Sequence, residues 1–174
     1  MKNFYQKGFT QTLTFKKRKK LVSGFTLLEA TIVIAIIIIM VLIVSPQFSK
    51  IRNMQTLKSA GGDIVSALNQ AQSQTRASLN SSNYGVHFQS NQIIIFKGTV
   101  FSSGDSNNKT ISIISPATIS NVTLNNVSGT TGDVYFNRLT GLPNVTGTVT
   151  VSIPNNASLT KTITLSATGE ASTN

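Results

Sequence analysis

The chain has 174 residues, enough for one domain with an anchor, and a formal net charge of +10. Lys2, Lys7, Lys16, Lys17, Arg18, Lys19 and Lys20 precede Gly24 with no acidic residue among them, whereas 8 Lys/Arg stand against 5 Asp/Glu from Phe25 onward. Charge gathered in one block beside an apolar run encodes membrane topology rather than a nucleic-acid face, and the absence of cysteine excludes disulfides, thiolate chemistry and cysteine-based zinc sites.

Residues 1–24 read as a leader, with Lys16, Lys17, Arg18, Lys19 and Lys20 holding it on the cytoplasmic side. The 20 residues from Phe25 to Val44 carry only Thr26, Glu29 and Thr31 as polar positions. As a helix they span ~30 Å, one hydrocarbon core. A secretory signal has a shorter apolar region followed by a small-x-small cleavage site. Here Ser45-Pro46-Gln47-Phe48 follows, so the apolar segment is expected to stay in the mature protein.

Beyond Pro46 the pattern becomes amphipathic. Phe48, Ile51, Leu57, Ile64, Leu68 and Ala71 recur at helical steps between polar residues, which predicts a helix to about Ala77. Pro46 is expected to kink or melt the junction, or to lie in a loop between two helices. Gly61 and Gly62 weaken the helix by ~1 kcal/mol each relative to alanine. After Leu79–Asn83, strands are expected at Tyr84–Gln89 and Gln92–Lys97, joined as a hairpin by Ser90-Asn91. Gly98–Asn108 reads as a loop. Further strands are expected at Thr110–Ser115, Thr118–Leu124, Val134–Arg138, Gly147–Ile153 and Thr160–Leu165, with a turn at Pro154-Asn155-Asn156. The expected fold class is α+β: a long N-terminal helix, transmembrane then amphipathic, packed on a C-terminal antiparallel β domain. The segments are 1–24 leader, 25–45 membrane half-helix, 46–78 amphipathic half-helix and 79–174 β domain.

The stretch "GFTLLEATIVIAIIIIMVLIVSP", residues 24–46, resembles the N-terminus of type IV prepilins and type II secretion pseudopilins. The likeness rests on Gly24 before a cleavage point, Phe25 as the new N-terminus, Thr26-Leu27-Leu28, an acidic fifth mature residue in Glu29, and Pro46 at the helix break. Residues 66–88, 134–153 and 160–172 are similar to the minor pseudopilins of the GspH/FimT-like family, with Phe136 and Gly141 matching that family's aromatic and glycine positions. Glu170 follows Gly169 where DNA-binding members of the family carry basic residues, so nucleic acid is not an expected partner. A second "KGFT", Lys7–Thr10, is not followed by an apolar run and has Leu13 where the acid belongs.

The resemblance implies a structural subunit of a type IV pilus or type II secretion pseudopilus. A prepilin peptidase cuts it after Gly24, Phe25 is N-methylated, and the subunit helps initiate fibre assembly. The implied partners are the peptidase, other pilin or pseudopilin subunits, the inner-membrane assembly platform and membrane lipid. The implied location is the cytoplasmic membrane, crossed once with the N-terminus cytoplasmic and the C-terminal domain outside, and then the fibre. A tip adhesin, a DNA-capture pilin and a major pilin are the alternatives on the same scaffold.

The residues add a physical reason for Glu29. A carboxylate within a bilayer costs ~2.5 kcal/mol or more, and a buried one is tolerated when paired. A neighbouring subunit's new N-terminus would pair with it and set register. No catalytic constellation and no cofactor are expected. His87 is the sole histidine, and Asp63, Asp105 and Asp133 lie far apart in sequence. Asn80, Asn108, Asn121, Asn126, Asn144 and Asn156 open N-x-[ST] triplets, a frequency expected of so Asn- and Ser/Thr-rich a chain.

Overall fold

The structure, a computed structural model, describes residues 24–154 and 156–174, without the side chains of Ser45, Pro46 and Ala157. The chain divides between Leu42 and Ile43 into two compact units. The first holds the start of helix α1 (Leu27–Arg76), which continues into the second and is helical across position 46 rather than broken by a loop there. An 18-residue window of α1 has a mean hydropathy of 3.2 and is uncovered among the described residues. By length and composition the helix can therefore cross a membrane.

In the second unit α1 changes character. Leu57, Ala60, Ile64, Ala67, Leu68 and Ala71 are buried at helical spacing, while Phe48, Ile51 and Met54 stay more than half exposed. The apolar stripe expected from Phe48 to Ala71 is thus covered only from Leu57. Periodicity reports which face is apolar, not how far the sheet reaches along it. The helix ends after Arg76 with Ser78 in the left-handed conformation (φ 50°), a role more often given to glycine. A short 3-10 turn, Leu79–Ser81, leads into the first strand.

Nine strands follow among the described residues. β1 (Tyr84–Gln89), β2 (Gln92–Lys97), β3 (Lys109–Ser112) and β6 (Gly132–Phe136) form one antiparallel sheet in the order β3-β2-β1-β6. β4 (Thr118–Leu124), β5 (Val127–Gly129), β7 (Gly147–Ile153), β8 (Asn156–Leu165) and β9 (Ala171–Thr173) form the other, in the order β5-β4-β7-β8-β9. The coarse α+β architecture expected from the sequence is present. The strand expected at Val134–Arg138 sits two residues earlier, because Asn137 to Leu142 closes a loop: Gly141 N–H donates to Asn137 O, and Asn137 N–H to Leu142 O. The strand expected at Thr110–Ser115 stops at Ser112, where pairing with β2 runs out at Gln92.

One core joins the helix to both sheets. Val86, Phe88, Ile93, Ile95, Val134 and Phe136 come from the first sheet, and Ile119, Val122, Val149, Val151, Ile153, Ile163 and Leu165 from the second. Alternation in β7 sends Val149, Val151 and Ile153 inward and leaves Thr148, Thr150 and Ser152 on the outer face. Thr75, fully buried on α1, is satisfied by β1: its Oγ1 accepts from Tyr84 N–H at 2.9 Å and donates to Tyr84 O at 3.4 Å.

Gly147 begins β7 where backbone passes very close: a Cβ there would lie 1.9 Å from Thr123 O. Strand β4 would have to move for any side chain to fit. Gly147→Ala is expected to destabilise the chain by about 1–3 kcal/mol, read as a lowered melting temperature of the detergent-solubilised protein. An unchanged melting temperature would contradict this packing.

Candidate functional site

The residues that carry the resemblance to prepilins meet at the start of α1. Gly24, Phe25 and Thr26 precede the helix, which begins at Leu27. Phe25 is 79% exposed, and no described residue lies within 4 Å of where a Gly24 Cβ would stand. Thr26 is the N-cap: its carbonyl accepts from Ala30 N–H at 3.1 Å, and its Oγ1 accepts from Glu29 N–H at 3.2 Å. Glu29 is thus the third residue of the helix, in the T-x-x-E spacing of a capping box. Its carboxylate stands in the first turn, where negative charge complements the positive end of the helix dipole.

Fourteen large apolar side chains between Leu27 and Val44 are each 45–84% exposed. Left in water they would forfeit on the order of 20 kcal/mol relative to an apolar surrounding. Glu29 is the one charged residue among them, and its neighbour one turn back is Thr26 rather than a cation of this chain. Lys16, Lys17, Arg18, Lys19 and Lys20 lie outside the described residues, as does the rest of the leader before Gly24. Position 46 lies within α1; the side chain of Pro46 is not described.

The β domain gathers a second set of polar side chains. The register of β1 and β6 sets His87 opposite Asp133, and the imidazole Nδ1 meets the Asp133 carboxylate. Gln89 Nε2 lies 3.1 Å from His87 Nε2. Phe101 stacks flat on the imidazole, with centroids 3.9 Å apart, and meets Phe96 edge-on at 5.7 Å. Phe96 in turn lies over Gly85, where a Cβ would come within 2.4 Å of its ring. The loop from Gly98 to Asn108 is thereby fixed over the outer face of the first sheet. Sequence reading separates His87 and Asp133 by 46 positions; strand register is the signal that joins them.

Among the described residues no group of three His, Cys, Asp or Glu side chains could hold a metal ion. Gln72 on α1 reaches two loops at once, donating through Nε2 to Gly141 O at 3.0 Å and to Thr168 O at 3.2 Å. Gly141 (φ 68°) leaves room for the aliphatic part of Arg76, which a Cβ would meet at 2.4 Å. Two of the N-x-[ST] asparagines are committed to backbone: Asn144 Oδ1 accepts from Tyr135 N–H, and Asn108 Nδ2 donates to Ser102 O. No protein-family model, no curated protein and no solved structure matches this chain.

Asp105 organises the Gly98–Asn108 loop. The backbone N–H of Asn107 donates to its carboxylate at 2.9 Å and holds it below the usual carboxylate range. The Asn107 side-chain amide at 2.7 Å acts in the same direction, burial opposes it by less, and the charge of Lys97 adds the smallest lowering. A lowered folded-state value means that the stabilisation is present above the unfolded value and is lost as pH falls through the folded one. On acidification through the carboxylate range, the Asn107 amide resonance is expected to titrate with Asp105. In Asp105→Asn that titration disappears.

Proposed function

We propose that this chain is a prepilin, cut between Gly24 and Phe25, that matures into a minor pilin or pseudopilin of a type IV pilus or type II secretion pseudopilus and helps to initiate its assembly. The observation that carries the reading is the junction at the start of α1. A Gly-Phe bond lies outside the helix, an acidic residue sits in the first turn, and a run of uncovered apolar side chains follows on the same helix. Such a helix needs an apolar surrounding at every stage. The membrane supplies it before assembly, and a bundle of like helices supplies it in a fibre. The basic leader, Lys16 to Lys20, favours a cytoplasmic N-terminus and an extracytoplasmic β domain.

The mechanism is packing rather than catalysis. Cleavage frees an α-amino group at Phe25, the atom that N-methylation would modify. In the fibre, Glu29 of one subunit pairs with the Phe25 amino group of the next. A buried carboxylate and a buried ammonium each need a partner, so the pair fixes the axial register. The β domain, with its own core, forms the outer layer. The peptidase, the other subunits, the membrane platform and lipid are the partners this reading requires.

N-terminal sequencing of the protein from cells that carry a prepilin peptidase tests the reading directly. The expected first residue is Phe25, and a mature chain that starts elsewhere would falsify it. Glu29→Ala is expected to insert into membranes at the wild-type level yet to be absent from sheared fibres. Incorporation of that variant at the wild-type ratio would rule out register pairing.

A further inference from the structure

We infer that Thr26 is a positioning residue for the processing step: by capping α1 it keeps the Gly24–Phe25 bond outside the helix, in chain that a peptidase can engage. This rests on the reading of the chain as a prepilin and adds to it a determinant that the cleavage residues themselves do not supply.

The chemistry requires an accessible bond. Hydrolysis adds water at the Gly24 carbonyl carbon and breaks its bond to the Phe25 nitrogen. A carboxylate is left on Gly24 and an ammonium on Phe25. Within an α-helix the Gly24 carbonyl would be tied to the amide of Leu28, and the turns on either side would enclose the bond. In the structure the first carbonyl drawn into the helical pattern is that of Thr26, which accepts from Ala30 N–H. Gly24 and Phe25 lie before that point; Phe25 is largely exposed, and no described residue lies within 4 Å of where a Gly24 Cβ would stand.

The position of the helix start is not fixed by apolar pattern. Leu21 and Val22 continue the hydrophobic character upstream, and Lys16 to Lys20 are good helix formers by type. Two features oppose backward growth. Gly24 is a poor helix residue. Thr26 supplies the side-chain acceptor that takes the Glu29 amide at 3.2 Å, in place of the carbonyl a longer helix would offer. The N-cap residue must leave helical backbone angles for its side chain to reach that amide, so capping at Thr26 is incompatible with a helix that runs through Phe25. Glu29 completes the T-x-x-E spacing of the first turn.

The test follows cleavage of the full-length chain in membranes that contain a prepilin peptidase, read as the rate at which the mature form appears. Thr26→Val keeps the shape of the side chain and removes the oxygen. It is expected to slow cleavage about fivefold, the factor typical of losing a cap. Thr26→Ser and Thr26→Asn each restore a capping oxygen on a different side chain and are expected to run within about twofold of wild type. Equal rates for all three variants and wild type would overturn the inference. So would slow cleavage of Thr26→Asn, which would mean that the peptidase reads the hydroxyl itself. If the wild-type chain is not cut after Gly24, the prepilin reading fails instead.

Discussion

Everything in this molecule depends on one helix having to meet two different demands for apolar contact. From Leu27 to Val44 its large side chains are apolar around the helix and, among the described residues, uncovered. From Leu57 to Ala71 only one face is apolar, and two sheets bury it. The same secondary structure thus serves as a surface that needs an external solvent and as the wall of an internal core. The change between them is a change of pattern, from continuous to periodic. Between these stretches Phe48, Ile51 and Met54 keep apolar surface open on a helix already flanked by Lys50 and Arg52.

The polar groups show how the chain tolerates that arrangement. Thr26 satisfies an amide of the first turn, and Thr75 satisfies the first strand from within the core. Each does with a single side chain what would otherwise need water, which neither a membrane nor a packed core provides. At the other end of the helix Gln72 links the loops carrying Gly141 and Gly169 to one amide. A glycine is required at both loops because the helix side chains approach so closely.

Much of this was legible in the sequence, and the rest was hidden for identifiable reasons. Alternation in "GTVTVSI" reads directly as β7, and the Ser90-Asn91 turn between two β-rich runs reads as the β1–β2 hairpin. β5 and β9, three residues each, are too short to carry alternation. β5 was marked only by Asn125-Asn126, both at positive φ, a pair suited to a tight hairpin turn. The cap at Thr26 was present as T-x-x-E spacing, but an acid inside an apolar run draws attention to its charge before its position in the turn. The His87, Asp133 and Phe101 cluster could not be read at all, since it depends on which strand lies beside which.

The cover that Phe101 and the Gly98–Asn108 loop place over the first sheet has a consequence for the order in which the β domain opens. Strands β1 and β2 face the shared core on one side and have Phe96, Phe101 and His87 on the other, and both lie inside the sheet rather than at its rim. β5 and β9 are rim strands with little buried surface. Amide hydrogens in β1 and β2 therefore exchange only when the whole domain unfolds, while those at the two rims escape through local fraying. A domain with that hierarchy can lose and regain its edges without disturbing the strands that hold the helix.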